Sequence, residues 1–149
     1  MAAESVPSAV LDTNLIVSAF LSRRGAPHAL LQALYEGAFR LILSDALRQE
    51  YAGVLARPGL KRRYVVPAAN VAAFFRFLDR RAGIVTPAPA VPVAVRDHKD
   101  AHVLVAALGG EADYLVSGDD DLRTLAGDSR LGALQIVTIR AFLDLLIAA

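Results

Sequence analysis

Short apolar runs alternate with longer amphipathic stretches along the chain. Ala9 to Leu11 reads as a strand, and a helix follows through Leu15 to Ser22 with Asn14 as its N-cap. A second helix is expected from Ala26 to Glu36, with Pro27 in the first turn, where its missing N–H is harmless. Leu41, Ile42 and Leu43 form a continuous apolar run, the pattern of a strand buried on both faces. Ser44 then caps a helix reaching Ala56, which Arg57, Pro58 and Gly59 end. Ala68 to Arg81 is helical with Val71, Phe74, Phe75 and Leu78 facing inward, and Gly83 closes it. Ile84 and Val85 make a short strand, and Thr86 to Val95, with three prolines, an extended connection. The rest reads as a helix from Asp97 to Leu108, a strand from Tyr114 to Val116, a short helix from Asp119 to Ala126, a strand from Gln135 to Val137 and a helix from Ile139 to Ile147.

Helices alternating with short Val/Ile/Leu strands predict one α/β domain over residues 1–149 with a mainly parallel sheet covered on both faces. Right-handed crossovers then put every strand C-terminus and helix N-terminus on one edge of that sheet, where ligands bind.

Acidic residues collect where strands give way to helices. Asp12 directly follows the first strand, and Asp119 follows the Tyr114–Val116 strand across Ser117 and Gly118. Asp97 and Asp100 resemble a capping box; Asp97 is assigned the cap and Asp100 the site. Glu50 borders the apolar stripe of Leu47, Tyr51, Val54 and Leu55 and is aimed at the protein. Three aspartates at 119–121 exceed what a helix N-terminus needs; Asp119 is the better ligand, Asp121 a weaker second, and Asp120 faces solvent. Asp12 also has a plain reading as a turn residue, and Glu50 as a solvated helix residue.

Four carboxylates gathered on one edge repel one another, and a divalent cation removes that cost. Oxygen-only ligands favour Mg²⁺ or Mn²⁺. The chemistry such a site supports is in-line attack of an activated water on a phosphodiester.

Composition narrows the field further. Sixteen Lys and Arg against 15 Asp and Glu leave a net charge of +1, so attraction for nucleic acid must come from local patches. The candidates are Arg23-Arg24, Lys61-Arg62-Arg63 and Arg80-Arg81, each of which taken singly reads as a solvated face. A hydrophobic fraction of 55% is high and suggests apolar surface buried between subunits or under a partner. The absence of cysteine removes thiolate chemistry and suits a reducing compartment, by default the cytoplasm. The N-terminus lacks the pattern of a secretory signal, and no window reaches the ~18 apolar residues of a membrane span, so a soluble protein is expected.

His98 and His102 at i, i+4 spacing lack the partners of a zinc site and are expected beside the acidic site, partly exposed, while His28 stands alone. There is no G-x-S-x-G, Walker A or GxGxxG motif. An aspartate-nucleophile phosphatase also places Asp at the end of its first strand, but it generally wants a second Asp where this chain has Asn14. A phospho-accepting signalling domain using Asp12 is the non-enzymatic rival.

AVLDTNLIVSAF, ALRQEYAGVL, RDHKDAHVLVAAL and ADYLVSGDDDLRTL, in this order and spacing, resemble PIN-domain proteins, in particular the VapC-like toxins of toxin–antitoxin pairs. The resemblance implies an α/β/α sandwich with a five-stranded parallel sheet and a Mg²⁺- or Mn²⁺-dependent ribonuclease site. It assigns the acidic quartet to Asp12, Glu50, Asp100 and Asp119, with Asp121 as a fifth, and the metal ligands expected are Asp12, Asp100, Asp119 and Asp121. Ser117 falls where the family has a small hydroxyl residue, and Asn14 belongs to the first motif. It further implies an RNA substrate, an antitoxin partner and a homodimer.

Overall fold

Every residue of the first strand, β1 (Ser8–Leu11), is buried, as a strand covered on both faces must be. The computed structural model describes residues 6–57, 66–88 and 98–148. Four further strands join β1: β2 (Arg40–Leu43), β3 (Gly83–Ile84), β4 (Tyr114–Val116) and β5 (Gln135–Val137). All pairings are parallel and the order is β3-β2-β1-β4-β5. Among the described residues seven α-helices flank this sheet: α1 (Thr13–Leu21), α2 (Ala26–Tyr35), α3 (Asp45–Leu55), α4 (Ala68–Arg81), α5 (His98–Gly109), α6 (Asp120–Arg123) and α7 (Ile139–Ala148). The result is the three-layer α/β/α sandwich that the alternating pattern predicts.

The strand order reverses direction between β1 and β4, whose chains leave the sheet toward opposite sides. A crevice opens at such a switch point, outside the strand C-termini. Leu11 pairs with Val116 there, and the Asp12 N–H continues the ladder to the Val116 carbonyl at 3.1 Å. The core beneath is apolar and aromatic, with Tyr51, Phe74 and Phe142 fully buried and Phe142 meeting Phe39 and Tyr114 edge to face.

Several elements match their sequence pattern closely. Ser44 accepts the Leu47 N–H at 3.1 Å and caps α3. On α4, Phe74 and Leu78 are buried and Val71 and Phe75 pack partly against the core.

Other boundaries move. Helix α1 begins one residue before Asn14, with Asp12 at the N-cap, so Asn14 is an exposed helical residue and not the cap. Ser117 donates to Oδ2 of the Asp12 side chain from beyond β4. Gly83 does not close α4: Ala82 ends the helix in extended conformation and Gly83 opens β3 opposite Ile42. Helix α6 is only four residues long, and a 3-10 turn at Ser129–Leu131 follows, capped by Asp128. The cap assigned to Asp97 lies outside the described residues.

Two glycines seat the segment before α5. A Cβ on Gly109 would lie 2.1 Å from the Thr86 carbonyl oxygen and 2.6 Å from the Ala88 nitrogen, and one on Gly110 would lie 2.6 Å from Ile42 Cγ2. Close approach of this kind lets the Ala88 N–H reach the Val105 carbonyl at 2.9 Å and tie residues 86–88 to the helix that carries Asp100.

Candidate active site

Because Leu11 is level with Val116, the next residues on the two strands, Asp12 and Ser117, are neighbours across the switch point. The Ser117 hydroxyl donates to Asp12 Oδ2 at 2.7 Å and accepts the Asp119 N–H at 2.9 Å. One buried hydroxyl thus joins the carboxylate after β1 to the backbone that presents Asp119. Burial raises the pKa of Asp12 above its ordinary 3.8, and the nearby charge of Asp119 adds to the rise. The bond from Ser117 and the Asn14 and Thr13 amides counter it in part.

Asp119 caps α6 through Oδ1, which accepts from the N–H groups of Asp121 at 2.8 Å and Leu122 at 3.4 Å. Asp100, in the first turn of α5, is 4% exposed and reaches the same edge. One carboxylate oxygen from each of Asp100, Asp119 and Asp121 lies within 4.8 Å of the others.

The donor set of this trio fits a divalent ion. All three donors are hard oxygens. Metal–oxygen bonds of ~2.1 Å in an octahedron separate ligand oxygens by roughly 3 to 4 Å, within the 4.8 Å that bounds the spacing here. Asp121 is exposed and Asp100 is buried, so the cluster lies between the solvent and the core.

Asp12 and Glu50 stand outside that trio. The Glu50 side chain is 15% exposed, accepts the Thr13 hydroxyl on Oε2, and presents Oε1 to His102 Nδ1 at 3.9 Å. The adjacent Tyr51 donates its hydroxyl to the Leu11 carbonyl. Burial raises the Tyr51 pKa well above its ordinary value, and the charges of Asp12 and Glu50 raise it further, so this phenol stays protonated. Thr13 and Tyr51 are site residues that the sequence pattern did not mark. Tyr51 reads as one more member of an apolar stripe, and Thr13 as a spacer in Asp-Thr-Asn.

The remaining candidates sit farther away. Arg23 and Arg24 are exposed in the α1–α2 connection, beyond a nine-residue helix, roughly 13 Å along its axis from Asp12. Lys61, Arg62 and Arg63 lie outside the described residues, and nothing is described of the His98 side chain. His28 pairs with Gln32 on the surface, and Arg80 and Arg81 occupy the last turn of α4.

Residues 8–121, which span β1 through the acidic turn after β4, match the PIN domain. The chain belongs to the PIN-domain family. No curated protein matches it at a significant level. The PIN domain is a nuclease fold: its members are typically hydrolases that bind RNA and usually use a divalent metal. Among the described residues of this PIN domain, Asp100, Asp119 and Asp121 form a group that could hold such an ion. Among the described residues no helix is long and apolar enough to cross a membrane.

Proposed function

We infer that this PIN domain is a Mg²⁺- or Mn²⁺-dependent endoribonuclease and serves as the toxin of a toxin–antitoxin pair in the cytoplasm. The observation that supports the catalytic reading is the cluster of Asp100, Asp119 and Asp121, whose carboxylate oxygens lie within 4.8 Å of one another, with Asp12 joined to the Asp119 backbone through Ser117. Asp100, Asp119 and Asp121 would hold the ion, and Asp12 would add negative charge beside it. When bound, the ion supplies Lewis acidity and lowers the pKa of water at the scissile phosphate.

The protein's own groups do the rest. Ser117 keeps Asp12 turned to the crevice, and Glu50 on α3 orients the attacking water and takes its proton. Neither a histidine nor the RNA 2′-hydroxyl is needed as nucleophile, so the products carry a 5′-phosphate and a 3′-hydroxyl. The toxin role is supported by the order and spacing of the four motifs quoted above. With it come a homodimer, consistent with the high apolar content, and an antitoxin segment seated in the active-site groove.

The test is cleavage of structured and single-stranded RNA across a metal titration. EDTA is expected to abolish cleavage, Asp100→Asn or Asp119→Asn to reduce it by orders of magnitude, and His98→Ala with His102→Ala to leave much of it. Cleavage that persists in EDTA, or products ending in 2′,3′-cyclic phosphate, would overturn the reading.

A further inference from the structure

Glu50 differs from the aspartates in how it is held. Asp12 and Asp119 sit on the backbone at strand ends, but Glu50 projects from the second turn of α3 on a longer side chain with more rotamer freedom to lose. Consecutive residues of α3 grip the β1–α1 junction on either side of Asp12. The Tyr51 hydroxyl donates to the Leu11 carbonyl, and the Thr13 hydroxyl donates to Glu50 Oε2. Tyr51 is fully buried and Thr13 is 5% exposed, so neither bond competes freely with water.

Position in the helix explains why the threonine is available for this. Inside a helix a threonine hydroxyl commonly bonds back to the carbonyl three or four residues earlier. Thr13 is the first residue of α1, with no preceding turn to bond to, and its β-branched side chain has few rotamers. Its hydroxyl is therefore aimed across to α3 by the same backbone turn that places Asp12. The second Glu50 oxygen is left facing His102 at 3.9 Å, beyond hydrogen-bond range.

We propose that Thr13 is a positioning residue, whose hydroxyl locks the Glu50 carboxylate at the acidic edge. The proposal rests on the nuclease reading for its catalytic consequence, and on the Thr13–Glu50 contact alone for its structural one. Thr13→Val keeps the shape and removes the hydroxyl; Thr13→Ser keeps the hydroxyl. With saturating Mn²⁺, Thr13→Val is expected to lower kcat for RNA cleavage about 10- to 100-fold with KM changed less than about twofold, and Thr13→Ser to restore most of the rate. Thr13→Val combined with Glu50→Gln is expected to be no slower than Glu50→Gln alone.

A second arm needs no catalysis. In EDTA, thermal melts of the wild type, the two single variants and the double variant are expected to be non-additive, the double melting no lower than the weaker single. Additive rates or additive melting shifts would overturn the proposal while leaving the nuclease reading intact. If the wild type cleaves no RNA with any metal, the nuclease reading falls and the melts alone decide the Thr13–Glu50 lock. Should Thr13→Val not fold, Thr13→Ala takes its place in both arms.

Discussion

Replacing Ser117 by alanine removes two bonds from the centre of the site at once. Its hydroxyl, fully buried, donates to Asp12 Oδ2 at 2.7 Å and accepts the Asp119 N–H at 2.9 Å. A hydrogen bond to an ionised carboxylate contributes about 1.5–3 kcal/mol, and a neutral one about 0.5–1.5 kcal/mol. Ser117→Ala is therefore expected to cost about 2–4 kcal/mol at neutral pH, a Tm loss of roughly 6–12 °C for a chain of this size. The pH dependence is the sharper signature. Burial raises the Asp12 pKa in the fold, so its contribution to stability is complete below the unfolded value of 3.8 and is lost as pH rises through the folded one. The Ser117 bond lowers that pKa, so its removal raises it again and steepens the loss. Thermal melts of both proteins in EDTA, from about pH 4 to pH 8, measure this directly. The stability gap is expected to widen with pH. A gap that is constant or narrows, or a Tm loss below about 2 °C at neutral pH, would refute the account of Asp12 and Ser117.

Two glycine substitutions of opposite expected sign contrast an open helix face with a close backbone approach. Gly53→Ala on the exposed side of α3, where a Cβ meets nothing within 4 Å, is expected to stabilise by about 0.5–1 kcal/mol in urea unfolding. Gly109→Ala drives a Cβ into the backbone of residues 86–88 and is expected to destabilise by about 1–3 kcal/mol, so equal stability would disprove the close approach. Asp12→Asn removes a buried charge and is expected to hold or raise the EDTA Tm while cutting RNA cleavage; a fall of more than about 3 °C would mean the charge is stabilising. Mn²⁺ at 100 times its Kd is expected to stabilise the wild type by about 2.7 kcal/mol, read as a Tm rise, and Asp119→Asn to lose most of it; equal shifts would exclude Asp119 as a ligand.

Much of this architecture was legible locally. Leu41–Leu43 and Tyr114–Val116 are short apolar runs because both faces of their strands are covered, and α4 follows its inward-facing Phe74 and Leu78 to the residue. Ser44 was readable as a cap because capping is a contact within one turn. Asp12 and Asp119 were recognisable as edge residues because each follows an apolar run. Asn14 misled because the helix starts one residue earlier, with Asp12 at its N-cap and bonded by Ser117 just past β4, a contact that no local pattern reveals. Gly83 misled for a similar reason: it serves the pairing of β3 with β2, and not the end of the helix before it.

The sequence by itself determined the alternation of helices and strands and the acidic ends of the strands, since both depend on periodicity and on neighbours a few residues away. Only the tertiary structure decided which acids come close enough together to hold one cation. The strand order placed β1 against β4, and the register of Leu11 with Val116 set Asp12 beside Ser117, 105 residues away along the chain. It also drew Asp100, Asp119 and Asp121 into a trio, tied Asp12 to the Asp119 backbone through Ser117, and set Glu50 against Thr13. Thr13 and Tyr51 became site residues only when α3 was laid across the β1–α1 junction. Register and helix packing arise from the sum of contacts over the whole core, so the partner of a side chain such as Thr13 is not encoded in the residues around it.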